Sequence, residues 1–305
     1  MLYILHENDQ WLEPFRETFA EMGLPFTEWH MASFLPDLAA EPPRGIFYVR
    51  MSASAHTRGH SGVPELTAGV LCWLERHGRR VINGSAALDL ELSKMRQYQA
   101  LMAYKLPVPL TYAARSPEQL LGLARNMPCP FVTKHNRAGM GLGVERFDSF
   151  DAFEIRLDVL AETPPVDGVN LLQVYIDSPD LLLPAVSLLE ENSFTHFVLI
   201  PRKVLSCVRR TIALCPVNSI HLKQRCCVSR LLRIMWIRLF PAMKNFYVSN
   251  RLTSPGSSSS SIVPGASGPY DVNVNTNYNA EAELRAGVNA RVRLVQYLKK
   301  ELARC

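Results

Sequence analysis

The feature that most constrains this fold is a strand, a glycine-alternating loop and a returning strand between Pro130 and Phe147. Pro130-Phe131-Val132-Thr133-Lys134 has strand composition, the loop reads Ala138-Gly139-Met140-Gly141-Leu142-Gly143, and Val144–Phe147 reads as the strand that comes back. Glycines 139, 141 and 143 remove side chains and let backbone N–H groups approach an anion such as a phosphate. Lys134, on the strand that feeds the loop, can put an ammonium on the same anion. The spacing is neither the P-loop nor the dinucleotide-binding one, and the loop runs into a strand rather than a helix. An ordinary β-hairpin turn accommodates the same residues, so the loop by itself leaves both readings open.

The segments before the loop alternate between strand and helix patterns. Tyr3–Leu5 is a short apolar run; Leu12, Phe15, Phe19 and Met22 recur at helical spacing, with Gly23 as a stop. Gly45–Arg50 reads as a strand. Pro64 opens a helix with Leu66, Val70 and Trp73 or Leu74 on its apolar face, and Arg79–Asn83 returns as a strand. This alternation predicts a small open α/β sheet with covering helices. Met95, Tyr98, Leu101 and Met102 share a face of a further helix. Ser116-Pro117-Glu118 starts another, and Phe150, Phe153, Leu157 and Leu160 mark one after the returning strand. Leu171–Ile176 reads as a strand, and Val288, Val292, Val295, Leu298 and Leu302 as a last helix. The expected division is 1–92, 93–168 and 169–305.

Charge is uneven. The net charge is +5, yet Asn192–Tyr270 contains no Asp or Glu and eleven Lys or Arg. The remainder holds 22 basic and 28 acidic residues, so the basic balance belongs to one segment. At the chain's average that segment would hold about seven acids. The seven cysteines are scattered and odd in number, which argues for reduced thiols rather than a disulfide framework. His6, Glu7 and Asp9 interrupt the N-terminal apolar run too early for a signal peptide, and no apolar run reaches membrane-spanning length. The expectation is a soluble, cytoplasmic protein with neither nucleic acid nor membrane as partner. Arg225, Arg230, Arg233 and Arg238, set among apolar residues, support a rival reading as a helix binding anionic lipid or nucleic acid. Their spread around the helix circumference argues against it.

Two further groups can carry chemistry. Asp271 and Asn273 alternate, so on a strand both side chains face one way. A carboxylate and an amide oxygen are hard ligands suited to Mg²⁺, although an Asn-rich turn explains the same residues. In the loop after Arg50, the residues His56, Arg58 and His60 join that arginine to concentrate donors at the carboxyl edge of a β/α sheet. A substrate-carboxylate site and a plain solvated loop both fit. The two histidines are four apart on a loop, which makes a poor zinc site.

Taken in order, four stretches resemble the ATP-grasp superfamily, especially its ribosomal-protein glutamate ligase and glutathione synthetase-like branch. VINGSAALDLELSKMRQYQALMAYKLPVPLT resembles the lysine-bearing helix and following strand, and PFVTKHNRAGMGLGV the second lysine strand and flexible loop. NLLQVYI resembles the adenine hinge, and YDVNVNTNYN the metal-binding strand. The resemblance covers roughly Val81–Ser178 and Tyr270–Leu302. It implies an α/β (α+β) ATP-grasp fold in which a small N-terminal domain precedes two subdomains clasping ATP. It also implies a ligase that joins a carboxylate of a small molecule or peptide to an amino-acid amine through an acyl phosphate. Lys94 and Lys134 would contact ATP phosphates, and Gly139, Gly141 and Gly143 would close over them. Gln173 would sit at the adenine hinge, and Asp271 and Asn273 would hold Mg²⁺ or Mn²⁺.

The resemblance also implies an arginine for the acyl-phosphate step, for which Arg209 is the candidate, and a second metal carboxylate on the strand before Asp271. The acid-free segment contains no such carboxylate. Residues 192–269 are therefore either a divergent insertion or a stretch read in a shifted frame, which sequencing of the coding DNA distinguishes. A catalytically degenerate ATP-binding protein is the corresponding alternative.

Overall fold

The computed structural model describes residues 1–103, 106, 108–139, 141–176, 182–189, 192–199, 245–251, 268–273 and 289–305. The first sheet holds β1 (Leu2–His6), β2 (Phe26–His30), β3 (Ile46–Arg50) and β4 (Arg80–Ile82) in the order β2-β1-β3-β4. Every pairing in it is parallel. A parallel sheet needs both faces covered, and the alternation of its strands supplies two apolar faces. Leu2, Ile4, Ile46 and Tyr48 pack with Leu12, Phe15 and Phe19 of α1 (Asp9–Glu21). Leu5, Phe47 and Val49 pack on the opposite side with Val70, Leu71 and Leu74 of α2 (Val63–Arg76).

Local chemistry sets the ends of these elements. Asn8 Oδ1 accepts from the Trp11 N–H at 3.3 Å and caps α1, and Gly23 follows it at φ +60°. On α2 the buried face is Thr67, Val70, Leu71 and Leu74, with Leu66 exposed, so the helix is rotated from the expected face. The sequence pattern does not reveal β2. Its FTEWH composition mixes polar and apolar residues, as an edge strand permits.

The last helix, α7 (Ala290–Arg304), returns to this first sheet. Leu294, Val295 and Leu298 are fully buried against Leu2, Ile4 and Ile82. Each such side chain contributes roughly 1.5–3 kcal/mol of transfer free energy, as an upper bound. Glu301 of α7 accepts from Arg80 Nε at 2.9 Å and from Arg80 Nη2 at 2.7 Å, joining the helix to β4.

The second sheet is antiparallel, with β5 (Thr111–Ala114), β8 (Asn170–Val174), β6 (Phe131–His135) and β7 (Glu145–Phe147) in the order β5-β8-β6-β7. α5 (Pro117–Ala124) and α6 (Phe150–Glu162) cover one face, where Phe131, Phe147 and Phe153 meet Leu120 and Leu172. Lys134, Val132 and Gln173 alternate onto the other face. Along the chain, α3 (Ser85–Glu91) and α4 (Lys94–Ala103) link the first sheet to the second. On α4 the buried residues are Gln97, Tyr98 and Leu101, while Met95 and Met102 are exposed, contrary to the expected face.

The third sheet pairs β9 (Leu182–Leu189), β10 (Asn192–Leu199), β11 (Asn245–Arg251) and β12 (Gly268–Asn273) in antiparallel order β10-β9-β11-β12. β12 lies against α3 and α4. The Ser257–Ser261 run, Val288 and the arginine-rich stretch 225–238 lie outside the described residues. Among the described residues, no helix is long and apolar enough to cross a membrane, and Cys72, Cys129 and Cys305 are free thiols.

Candidate functional site

β6 delivers Lys134 onto the face that α4 covers. Its Nζ donates to Tyr98 Oη and, at 2.8 Å, to Gln173 Oε1, and it lies 5.1 Å from the centroid of the Tyr98 ring. Lys134 is 7% exposed and Gln173 is 5% exposed. Gln173 Nε2 in turn donates to Thr111 Oγ1 at 2.6 Å, so an ordered amide bridges β5 and β6 through β8. A buried ammonium retained in this way is positioned rather than mobile. Gln173 therefore orients Lys134 from the strand that the resemblance assigns to the adenine hinge.

Lys94 arrives from the first turn of α4 and is fixed to the end of β6. Asn136 accepts from the Met95 N–H at its Oδ1 (2.9 Å) and from the Lys94 N–H at its main-chain oxygen (3.2 Å), capping α4 from a distant strand. Asn136 Nδ2 donates to Asp167 Oδ2 at 2.6 Å, which holds the cap in place. Lys94 Nζ donates to Ala138 O at 2.8 Å, at the root of the glycine loop. Among the described residues, the Lys94 ammonium has no carboxylate partner.

The glycine loop needs its glycines for different reasons. Gly143 has φ +72°, and a Cβ built on it would lie 2.3 Å from His135 Cδ2, so the loop closes directly onto that ring. Gly141 has φ +77° with open space around it, and a Cβ on Gly139 would approach Ser54 Cβ at 3.3 Å. The loop thus folds from β6 towards the first sheet's carboxyl edge. His135 is held below its ordinary pKa, chiefly because burial penalises the imidazolium. Asp271 and Asn273 lie on β12, opposite Ser249 and Tyr247 of β11, and the backbone brings their strand against the Lys94 helix. Arg209 lies outside the described residues.

The four donors at and after the end of β3, Arg50, His56, Arg58 and His60, do not converge as one group. Arg50 is 3% exposed; its guanidinium lies 4.1 Å from the centroid of the Phe15 ring, and its Nη1 donates to Tyr48 Oη at 3.2 Å. His56 Nδ1 lies 3.1 Å from Ala53 O in a short 3₁₀ turn. Arg58 and His60 instead meet on Glu7, whose side chain is wholly buried. Arg58 donates to it at 2.5 and 3.0 Å, and His60 Nδ1 lies 3.0 Å from Glu7 Oε2. Arg58 also donates to Ser54 Oγ at 3.1 Å and lies over the Trp11 ring at 4.8 Å. Glu7, Tyr98 and Asn136 hold candidate site residues in place, and the sequence pattern does not single them out. Each acts through a partner more than thirty residues away.

Beside this group, His6 and His30 are register partners at the ends of β1 and β2, with rings 5.0 Å apart. Burial, its largest influence, holds the His6 imidazole below its ordinary pKa despite the nearby Glu28 carboxylate. Glu28 Oε2 is 3.2 Å from His6 Nε2, and among the described residues the other ring nitrogen, Nδ1, is buried without a hydrogen-bond partner.

No family model matches the chain, and no curated protein matches it either. Solved structures do. The chain is similar to a RimK domain ATP-grasp protein from Sphaerobacter thermophilus, with 16% identity, TM-score 0.66, and 97% of this chain and 98% of that one covered. It is similar to the ATP-grasp ligase PsnB complexed with minimal precursor, Mg and ADP, at 13% identity and TM-score 0.65, covering 99% and 97%. It is also similar to the D-cycloserine synthetase DcsG, at 16% identity and TM-score 0.61, covering 99% and 100%. With three sheets in this arrangement and near-complete coverage of those structures, the chain has the ATP-grasp fold.

Proposed function

We propose that the chain is an ATP-dependent carboxylate–amine ligase. The observation that carries this is the Lys94 ammonium, held on Ala138 O at the root of a glycine loop and lacking a carboxylate partner among the described residues, with Lys134 on the strand that feeds that loop fixed by Tyr98 and Gln173. Two ammonium groups beside a loop whose glycine permits close approach fit a polyphosphate. The likeness to PsnB complexed with Mg and ADP supports the same ligand.

Bound ATP supplies a phosphoryl group that turns a substrate carboxylate into an acyl phosphate, which an amine then converts to an amide with loss of phosphate. The chain's own contribution is positioning and charge stabilisation. Lys134, steadied by Tyr98 and Gln173, holds negative charge on the second sheet, and Lys94 does so at the loop's root. The glycine loop excludes water above them. Asp271 and Asn273 offer hard oxygens from a strand packed against the Lys94 helix, and these would hold Mg²⁺.

The substrate carboxylate would be met from the first sheet's carboxyl edge, where Arg58 donates to Ser54, the residue that Gly139 of the loop approaches, and His60 shares Glu7 with Arg58. A glutamate ligase-like choice of amine is the finer form of this reading; a small peptide or a peptide precursor is the other form. One observation favours a second reading, a nucleotide binder without turnover. β11, the neighbour of β12, carries no acid, and Ser249 stands opposite Asp271. ADP release, assayed over a panel of acids and amines, tests the proposal. Turnover with an acid–amine pair is expected, and nucleotide binding with no turnover across the panel would establish the second reading instead.

A further inference from the structure

The carboxyl ends of β1 and β2 carry a cluster that ATP and its Mg²⁺ do not use. His6 and His30 are directly paired across the two parallel strands, so both imidazoles leave the sheet on one face. Asp9, in the first turn of α1, comes over the same edge. One ligand atom from each of His6, Asp9 and His30 lies within 4.8 Å of the other two. His6 is 1% exposed, its Nε2 lies 3.2 Å from Glu28 Oε2, and among the described residues its Nδ1 has no hydrogen-bond partner, an expensive arrangement for a buried polar atom unless something else occupies it.

The surrounding charges favour a cation. Arg16 is shared by three carboxylates: Asp9 Oδ1 at 2.6 Å, Glu13 Oε2 at 2.7 Å, and Glu28 at 2.8 and 2.6 Å. One guanidinium against three carboxylates leaves net negative charge beside the two imidazoles. Arg16 also leaves the second Asp9 oxygen available. Oδ1 faces the guanidinium, while Oδ2 faces His30 Nε2 at 3.7 Å. Arg16 holds both Glu28 oxygens, so Glu28 supports the cluster from outside rather than ligating.

We propose that His6, His30 and Asp9 form a binding site for one borderline divalent transition metal of the Zn²⁺ class. Two imidazoles and one carboxylate are a donor set for such ions rather than for Mg²⁺. Three protein ligands leave one tetrahedral position for water or for a substrate oxygen. Asp9 and His30 are the partly exposed members, which leaves their side chains room to rotate towards a shared ion. The site adjoins the substrate edge, since the His30 ring lies 5.9 Å from that of His60.

The test uses the full chain, stripped with chelator and titrated with Co²⁺ alone, without nucleotide, followed by absorption and calorimetry. One equivalent is expected to bind with a nitrogen–oxygen ligand spectrum. Asp9→Asn and His30→Gln, at exposed and half-exposed positions, should each weaken binding by about 100-fold or more. Asp271→Asn should leave binding unchanged, which separates this site from the proposed Mg²⁺ site. Unaltered affinity in Asp9→Asn and His30→Gln, no stoichiometric binding, or a thiolate-to-cobalt charge-transfer band would each overturn the proposal.

Discussion

Replacing Gly143 by alanine should cost nucleotide affinity through one identifiable contact. At φ +72° a non-glycine residue is strained by about 1–2 kcal/mol. The new methyl would also sit 2.3 Å from His135 Cδ2, with the ring's Nε2 and Cγ at 2.5 and 2.7 Å. Moving a buried ring off its rotamer adds about 0.5–1.5 kcal/mol. Relief of both by lifting the loop from β6 would place the penalty on nucleotide binding rather than on the fold. Together the two costs, about 1.5–3.5 kcal/mol, correspond to about 10- to 300-fold weaker ADP binding by calorimetry. Gly141 has a similar φ, +77°, but open space around it. Gly141→Ala should therefore show only the strain cost, about 5- to 30-fold. Adding His135→Ala to Gly143→Ala should recover part of the difference, as expected of residues in contact. If Gly143→Ala binds no more weakly than Gly141→Ala, closure of the loop onto His135 plays no part in binding.

Other perturbations address the remaining links. Lys94→Met and Lys134→Met should each reduce ADP affinity by at least about tenfold; an unchanged affinity in the pair would remove the basis of the ligase reading. Arg80→Met should destabilise the chain by about 1–2 kcal/mol in urea unfolding, because Glu301 stays buried with less compensation. Mutating both Arg80 and Glu301 to Met should restore part of that loss. For Glu301, burial alone would raise the carboxyl, but Arg80 and Arg304 override it and leave it below the ordinary value. Its contribution is thus complete above about pH 4.5 and lost as pH falls through the folded-state value, which acid melts of wild type and Glu301→Gln compare. The lowered His135 pKa means that stability declines as pH drops below about 6.5, where the unfolded chain takes up a proton that the native imidazole resists. A His135→Gln variant should lack that part of the decline in melting temperature.

Much of the architecture was legible from local pattern. Gly23 after α1, the Ser116 cap on α5 and the glycine loop after β6 are determined by backbone preferences that act over a few residues. The strand that carries Lys134 was legible for the same reason, since apolar residues running into glycines mark it in one short stretch. The faces of α2 and α4 were not. Leu66, Met95 and Met102 are apolar at helical spacing, yet which apolar residues are buried depends on what packs over them.

Local backbone preference specifies the individual elements and the glycine spacing of the loop after β6. Tertiary structure alone decided that α7, at the far end of the chain, completes the core under Leu2 and Ile4. It alone placed Glu7 between Arg58 and His60, and paired His6 with His30. Strand order and register set these meetings. Both are products of long-range burial that no short window of sequence encodes.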